Sequence, residues 1–350
     1  MMIKIISAEN IEKAEKLIKS NEKVVIITHL SPDGDAIGSS LGLYHFLSVA
    51  GKNVNIVVPN GFPAFLSWLK GTKEIIHYDR QPEFAERLIA EAELIFCLDF
   101  NVLKRLNGAT SDGLSQAVKN ASAKKVLIDH HPNPDPFCDV VISHPEISST
   151  SELVFRLICR IGSFDLIDKH SAESIYTGMM TDTGAFTYSS NDPDIYFIIS
   201  QLLKKGIDKD VIYRNIYCNN SFDRVRLNAF AVYERMKIYE KYKTAVICLS
   251  LEDLKNHNYK NGDTEGIVNI PLTIHNIVFS VLVREDKDKI NLSFRSIGNF
   301  PADVPASEHF GGGGHFNAAG GEFFGTFADA IKRVEEILPQ YEQLLLNTSV

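Results

Sequence analysis

Short apolar runs rich in β-branched residues recur through the first half of this 350-residue chain. Stretches with helical periodicity separate the runs, which lie at 23–28, 53–58, 94–98, 125–128 and 140–143. Strands that are apolar throughout must be covered on both faces, and alternation with helices supplies that cover in a parallel sheet. The pattern therefore predicts an α/β domain with a doubly wound, mostly parallel sheet, in which ligands bind at the carboxyl ends of the strands.

The second half of the chain predicts a smaller α+β domain. Helical stretches at 171–180, 192–205 and 221–239 precede predicted strands at 243–249, 277–284 and 289–296 and a closing helix at 327–346. Because the chain is too long for one ordinary core, we expect two domains. They are predicted at 1–195 and 226–350, joined by a helical linker at 196–225.

Composition and charge exclude several classes of protein. Hydrophobic residues make up 45% and charged residues 23% of the chain, which is typical of a folded globular protein. No apolar run reaches the roughly 18–20 residues of a membrane span, and the N-terminus lacks the pattern of a secretory signal. The five cysteines are scattered without CxxC spacing, which favours reduced thiols and the cytoplasm. A net charge of −8 argues against a long groove for duplex nucleic acid but allows a small anionic substrate.

Acids and histidines fall where the predicted strands end. The groups are His29, Asp33 and Asp35 after the first strand, Asp99 after the third, Asp129, His130 and His131 after the fourth, and Asp182 just past an apolar helix. Strand ends of a parallel sheet share one edge, so these groups can converge. Converged carboxylates need cations, and oxygen ligands mixed with imidazoles suit Mn²⁺ or Mg²⁺. Two such ions, about 3.5–4 Å apart, can activate water for an in-line phosphoryl displacement.

Each piece alone also has a plainer explanation. The Pro-Asp-Gly sequence at 32–34 is ordinary turn chemistry, and Asp99 alone could cap a helix. The adjacent histidines His130 and His131 are harder to dismiss, because burying two imidazoles is costly unless both find partners. The joint occurrence of all these groups at strand ends favours a metal centre.

A glycine cluster at 311–321 offers two further interpretations. It could be a flexible loop, or its backbone N–H groups could approach a phosphate closely, with His315 as another donor. Arg295, in a predicted strand, could hold the same phosphate by two parallel hydrogen bonds. Arg284 is the weaker candidate, because the end of its strand is expected to be solvated.

The motifs together resemble those of a known family. THLSPDGDAIGS, the lone Asp99, IDHHP and MMTDTGAF resemble the four motifs of the DHH phosphoesterase superfamily, and SFRS followed by FGGGGHFNAAGG resembles its DHH-associated C-terminal domain. The chain's length and two-domain organisation are similar to the nanoRNase and pAp-phosphatase branch. The resemblance implies a catalytic metal-binding domain, a substrate-binding domain, and an active site in the cleft between them.

The resemblance also implies roles for individual residues. It implies one Mn²⁺ held by His29, Asp33 and Asp99, and a second held by Asp35, Asp99, His130 and Asp182, so that Asp99 bridges the two ions. Mg²⁺ accepts the same ligands. His131 would donate to the phosphate or the leaving group, and Asp129 would orient the histidines. The terminal nucleotide's phosphate would be bound by Arg295, Gly312, Gly313, Gly314 and His315.

The activity that this resemblance implies is hydrolysis of short RNA oligonucleotides to mononucleotides, of 3′-phosphoadenosine 5′-phosphate (pAp) to AMP, or of both. Short single-stranded RNA or pAp is then the expected partner, with neither duplex nucleic acid nor a membrane, and a homodimer stays open. Within the superfamily, pyrophosphatase and single-strand DNA exonuclease activities are disfavoured. Hydrolysis of linear dinucleotides and a non-catalytic nucleotide-binding role are the remaining alternatives.

Overall fold

The structure is a computed structural model that describes residues 3–108 and 111–348. The chain divides into two compact units, Met1–Asn219 and Asn220–Val350. Within the described ranges, no helix is long and apolar enough to cross a membrane. Each unit is built around one six-stranded sheet.

The sheet of the first unit is parallel throughout, as the apolar runs predict. Its strand order is β3-β2-β1-β4-β5-β6. The strands are β1 (Lys23–Thr28), β2 (Asn53–Val58), β3 (Ile76–His77), β4 (Leu94–Leu98), β5 (Lys124–Asp129) and β6 (Val140–Ser143). From β1 the chain builds outward to one side through β2 and β3, and then returns beside β1 to build the other side. The point of reversal therefore lies between β1 and β4.

Helices cover both faces of this sheet, which confirms the doubly wound fold. They are α1 (Ala8–Ser20), α2 (Gly34–Val49), α3 (Pro82–Glu91), α4 (Gly113–Asn120), α5 (Thr150–Arg160), α6 (Lys169–Asp182), α7 (Pro193–Lys204) and α8 (Lys209–Tyr217). Alternate residues of β1 point to opposite cores: Ile26 packs with residues of α1, α2, α5 and α6, and Ile27 packs with residues of α3 and α4. Residues 196–225, expected as a linker, include α8, whose Ile212 and Ile216 join the core of the first unit.

The second unit has a mixed sheet with the order β11-β12-β10-β9-β8-β7, in which only the pair β8–β9 is parallel. Its strands are β7 (Met236–Tyr239), β8 (Thr244–Leu249), β9 (Phe279–Glu285), β10 (Ile290–Ser296), β11 (Gly313–His315) and β12 (Ala318–Phe323). Its helices are α9 (Phe222–Glu234), α10 (Leu251–Asn256), α11 (Asp303–Phe310), α12 (Phe327–Ile337) and α13 (Glu342–Asn347). The predicted α+β class is confirmed.

Several local predictions were wrong in the second unit. The helix predicted at 221–239 ends at Glu234, and Met236–Tyr239 is an edge strand paired with β8. The closing helix is interrupted by a 3₁₀ turn, Leu338–Tyr341, which contains Pro339. The glycine cluster is not a flexible loop, because β11 and β12 pair within it as an antiparallel hairpin.

Candidate active site

The predicted ligands of the first unit meet at the carboxyl edge of its sheet. His29 follows β1, Asp99 follows β4, and His130 follows β5, and these three strands are neighbours. Asp35 enters from the first turn of α2. Asp182 does not lie past a helix, as the sequence suggested, but is the last residue of α6.

His29 and His130 are oriented in the same way. Nδ1 of His29 lies 2.9 Å from the carbonyl oxygen of Leu30, and Nδ1 of His130 lies 3.2 Å from that of Ile147. A backbone carbonyl accepts only from a protonated nitrogen, so each contact keeps the proton on Nδ1. Nε2 of each ring therefore faces the carboxylates.

Asp99 lies between the two imidazoles. Its Oδ2 is 3.3 Å from Nε2 of His29, and its Oδ1 is 3.5 Å from Nε2 of His130. The side chain is almost completely buried, and the backbone is left-handed with φ 64°. Aspartate tolerates that conformation better than most residues, at a cost that folded proteins often meet at functional sites. Burial alone would raise the pKa of Asp99, but the nearby imidazoles of His130 and His29 outweigh burial and hold it well below its ordinary value.

Asp35 is held by the N-terminus of α5. Its two carboxylate oxygens accept hydrogen bonds from the backbone N–H groups of Thr150, at 2.6 Å, and Ser151, at 2.9 Å. Burial, reinforced by the negative charges of Asp99 and Asp182, raises the pKa of Asp35 well above its ordinary value. The helix N-terminus favours the ionised carboxylate, whereas the crowding of carboxylates opposes it.

Asp33 and Asp182 are the other two acids near these imidazoles. Oδ1 of Asp33 lies 4.0 Å from Nε2 of His29 and also caps α2, where it accepts from the backbone N–H groups of Asp35 and Ala36. Oδ2 of Asp182 lies 3.4 Å from Nε2 of His130. Asp33 is thus both a helix cap and a neighbour of the cluster.

His131 points to a different partner from its neighbour. Its Nδ1 lies 2.8 Å from Oδ1 of Asp129, which is completely buried, and 3.7 Å from Oδ1 of Asp99. Contact with Asp129 fixes the orientation of the ring and favours a proton on Nδ1. This pair is the arrangement expected for a proton donor and the carboxylate that orients it.

The donor set fits hard divalent cations. Nε2 of His29 is buried and, within the described part of the chain, has no hydrogen-bond partner, although a carboxylate oxygen lies 3.3 Å away. The carboxylates also attract positive charge: burial lowers the pKa of His130, but Asp182, Asp99 and Asp35 together raise it well above its ordinary value. His29 with Asp33 and Asp99 forms one set whose ligand atoms all lie within 4.8 Å of one another, and Asp35 with Asp99 and His130 forms another. Oxygen and imidazole ligands with no thiolate suit Mn²⁺ or Mg²⁺.

Close packing of α2 against α6 brings Asp35 and Asp182 into the cluster. Gly34, Gly38 and Gly42 lie one turn apart on α2 and face α6, and a Cβ at Gly38 would lie 2.7 Å from the backbone of Gly178. A Cβ at Gly178 would in turn lie 2.8 Å from Oδ1 of Asp35. The two helices can approach this closely only because these positions have no side chains.

The sequence analysis missed the polar segment 148–152, which supports the cluster. Thr150 donates from Oγ1 to Oδ1 of Asp99 at 3.0 Å, in addition to its backbone contact with Asp35. Ser149 caps α5 by accepting from the N–H of Glu152. A serine followed three residues later by glutamate, ahead of an apolar run, is the signature of a helix N-terminus, and it could have predicted an anion-binding backbone there.

The residues predicted to bind substrate in the second unit share one region of its sheet. Arg295 and His315 both pair with Ala318, one from each side, so their side chains project from the same face, with Cα atoms roughly 10 Å apart. A Cβ at Gly312 would lie 1.8 Å from the carbonyl oxygen of Gly320, so this glycine is required for close strand packing. Gly313 and Gly314 belong to β11. Arg284, expected to be solvated, donates to the hydroxyl groups of Tyr259 and Thr264.

Known proteins resemble the chain over nearly its full length. A protein described as exopolyphosphatase-related, from Bacteroides fragilis, is 53% identical in sequence to this chain. Its crystal structure matches with a TM-score of 0.94 over 99% of this chain and 100% of that one. The bifunctional oligoribonuclease and PAP phosphatase NrnA of Thermus thermophilus is 28% identical over 92% of this chain and 91% of that protein. The probable NrnA of Streptococcus mutans is 27% identical over 94% of this chain and 96% of that protein.

Family profiles divide the chain in the same order as its two units. The DHH family, N-terminal domain, matches residues 23–179, and the DHHA1 domain matches residues 241–342. The RecJ of Thermus thermophilus, solved with Mn²⁺, shares the fold with a TM-score of 0.53 at 12% identity, over 97% of this chain and 56% of that one. The motifs at the strand ends, the two profiles and the full-length relatives together show that the chain belongs to the DHH phosphoesterase superfamily, in the NrnA-like branch that carries a DHHA1 domain.

Proposed function

We propose that this protein is a manganese-dependent phosphoesterase that hydrolyses short RNA oligonucleotides to mononucleotides and pAp to AMP. The proposal assigns catalysis to the first unit and substrate binding to the second. Its setting would be the cytoplasm, which the scattered cysteines favour. Relatives named as oligoribonuclease and PAP phosphatase support the choice of substrates.

The observation that carries the proposal is the position of Asp99. Each of its carboxylate oxygens faces a different imidazole, and each of those imidazoles is turned by a backbone carbonyl so that Nε2 faces inward. One carboxylate with two such neighbours is suited to bridging two cations. A purely structural ion pair would need only one imidazole.

The ligand sets are those that the family resemblance implies, and the clustering of these side chains supports them. His29, Asp33 and Asp99 would hold one Mn²⁺, and a second would be held by Asp35, Asp99, His130 and Asp182, with Mg²⁺ as the alternative. When bound, the ions would supply a nucleophilic hydroxide near neutral pH and neutralise charge on the phosphoryl oxygens. The backbone N–H groups of the α5 N-terminus would keep Asp35 in place and offset part of the repulsion from Asp99 and Asp182.

His131 and Asp129 would provide a proton during the hydrolysis. In the hydrolysis, the oxygen of a water molecule forms a bond to phosphorus while the ester bond to the leaving oxygen breaks. Protonated His131 would donate from Nε2 to a phosphoryl oxygen or to that leaving oxygen, because Nδ1 is engaged by Asp129. Asp129 would stabilise the imidazolium and fix its orientation.

In the second unit, we propose that Arg295 and His315 bind the phosphate of the terminal nucleotide. Their shared sheet face and the absence of side chains at Gly312, Gly313 and Gly314 support this role. An arginine suits a phosphate because its planar guanidinium donates two parallel hydrogen bonds.

The test measures mononucleotide release from a 5′-phosphorylated RNA dinucleotide and phosphate release from pAp, with Mn²⁺ present. Asp99→Ala should lower both rates by several orders of magnitude, whereas Asp112→Ala, at an acid outside the cluster, should leave them unchanged. A non-catalytic nucleotide-binding module would show no wild-type turnover to lose. Release from pyrophosphate or polyphosphate alone would contradict the choice of nucleotide substrates.

A second candidate function is hydrolysis of linear dinucleotides, such as pApA or pGpG, in second-messenger turnover. The cyclic-di-AMP phosphodiesterase PdeA of Listeria monocytogenes is 23% identical over 93% of this chain, although the match spans only 49% of that protein. Comparing kcat/KM for pApA, pGpG and RNA dinucleotides of mixed sequence separates the two candidates. A preference for one second-messenger dinucleotide over all others would favour the second.

A further inference from the structure

Arg105 lies at the point where the strand order of the first unit reverses. It belongs to a 3₁₀ turn, Leu103–Leu106, in the loop that follows Asp99 and β4. Its carbonyl oxygen accepts a hydrogen bond of 2.8 Å from the N–H of Leu30, in the loop that follows β1. This bond joins the two loops across the reversal, which is where doubly wound sheets bind their ligands. Backbone contacts therefore fix Arg105 beside His29.

Arg105 is half-buried as a residue, and its guanidinium has no hydrogen bond or ion pair within residues 3–108 and 111–348. The other buried or half-buried arginines of those ranges all have side-chain hydrogen bonds; they are Arg156, Arg160, Arg224, Arg284, Arg295 and Arg333. A partly buried cation without a partner is costly, so Arg105 is the exception that calls for an explanation.

Arg105 has an acidic neighbourhood but no acidic partner. Its backbone bond to Leu30 places it next to the loop that carries His29 and Asp33. Within the described residues, its guanidinium forms no ion pair with any acid of the cluster. A cation placed in this way is available to an anionic ligand.

Charge balance identifies the ligand that such a cation would meet. The four acids of the two proposed ligand sets carry four negative charges, which two divalent cations would cancel. The ions and protonated His131, whose charge Asp129 balances, would then neutralise the charge of a bound phosphoryl group only in part, which leaves a place for a further counter-charge. Arg105 supplies one, and its planar fork matches two phosphoryl oxygens.

We propose that Arg105 is a substrate-binding residue that holds two oxygens of the scissile phosphoryl group. The inference rests on the proposed function, because it takes the substrate to be a phosphate ester hydrolysed at this cluster. It adds a phosphate contact in the first unit to those proposed for the second unit. Lys104 is the matched control, since it precedes Arg105 in the same turn but is exposed.

The test compares wild type, Arg105→Gln, Arg105→Lys and Lys104→Gln as full-length proteins loaded with Mn²⁺. Calorimetry measures the affinity of each for AMP, the product of pAp hydrolysis, and for inorganic phosphate. Loss of charge-assisted hydrogen bonds should weaken both ligands about ten- to a hundredfold in Arg105→Gln. Arg105→Lys should retain part of the affinity, and Lys104→Gln should bind like wild type.

Two further readouts separate binding from a structural role. Neither Mn²⁺ affinity nor thermal stability should fall in Arg105→Gln, because no ligand of the ion is altered and the guanidinium has no partner to lose. The slope of log KM against log salt, measured with an RNA dinucleotide, should become shallower by about 0.7, the value for one phosphate contact on a single strand.

The proposal would be overturned if Arg105→Gln bound AMP and inorganic phosphate as tightly as Lys104→Gln does. It would also be overturned if Arg105→Gln lost Mn²⁺ affinity and thermal stability in parallel. Failure of the proposed function has a different signature. In that case the wild type would hydrolyse neither RNA nor pAp, yet Arg105→Gln would still bind inorganic phosphate more weakly than wild type.

Discussion

Gly178→Ala should disturb the proposed metal centre, because position 178 of α6 packs against Ser151 and Asp35. A Cβ at this position would lie 1.9 Å from Oγ and 2.8 Å from Cβ of Ser151, and 2.8 Å from Oδ1 of Asp35. Non-bonded carbon atoms prefer about 3.5–4.0 Å, so the Ser151 Cβ must retreat by about 0.7 Å or more. Because the N–H of Ser151 donates a hydrogen bond to Asp35, that carboxylate must move with the N-terminus of α5.

The expected effect on stability is small, and the effect on metal binding is large. Overpacking costs about 1–3 kcal/mol, and alanine regains about 1 kcal/mol of helix propensity, so the net loss is about 0–2 kcal/mol. Displacing a group that hydrogen-bonds to a metal ligand typically weakens metal binding about 10–100-fold. We therefore expect Gly178→Ala to fold, with its Tm lowered by up to about 8 °C. Its half-saturating Mn²⁺ concentration should rise at least tenfold.

Gly42→Ala is the matched control on the same helix pair. Its Cβ would lie 2.6 Å from Cγ1 of Ile175 and would meet no polar group of the cluster. The assay titrates activity and calorimetric binding against Mn²⁺ for both variants and records thermal unfolding. Gly42→Ala should lose stability without losing Mn²⁺ affinity. If both variants keep the wild-type Mn²⁺ dependence, the packing of α6 does not position Asp35 and the reasoning fails.

Two other perturbations test the surroundings of the cluster and the second unit separately. Thr150→Val keeps the shape of the side chain but removes the hydroxyl that donates to Asp99, so calorimetry should show Mn²⁺ bound about tenfold more weakly. Thr150→Ser keeps the hydroxyl and should bind Mn²⁺ normally. Equal Mn²⁺ affinities in the two variants would contradict this role of Thr150. In the second unit, burial raises the pKa of Asp253, but a bidentate ion pair with Arg235 outweighs burial and lowers it below its ordinary value. The stabilisation is therefore complete above the unfolded-state pKa of about 3.9 and is lost as pH falls through the folded-state value. In urea unfolding followed by circular dichroism, the stability difference between wild type and Asp253→Asn should stay constant from pH 7 to 5 and shrink towards pH 3, and a difference independent of pH would refute the assignment.

Five of the strands in the first unit were predictable because each contains a short apolar run rich in β-branched residues. That signal failed where an element is short or exposed. β3 has two residues, too few for any periodicity. Met236–Tyr239 has no buried residue, with half-buried side chains at its ends and exposed ones between them, so its sequence is equally compatible with the last turn of an amphipathic helix. Tertiary pairing with β8 decides the second case, and local propensity does not report it. The glycine hairpin was hidden for a related reason, since glycine's strand pairing depends on the neighbouring backbone rather than on its own preference.

The candidate site was likewise predictable from sequence only in part. Its acids and imidazoles were visible in the sequence because only a few residue types carry that chemistry, and their positions at strand ends implied one edge. What orients them is mostly backbone: the carbonyls of Leu30 and Ile147 turn the histidines, and the N–H groups of Thr150 and Ser151 hold Asp35. Every residue type offers a carbonyl, and all but proline offer an N–H, so no residue pattern marks these contacts. The candidate ligands of such a site can therefore be proposed from sequence, whereas the geometry that brings them together becomes visible only in the fold.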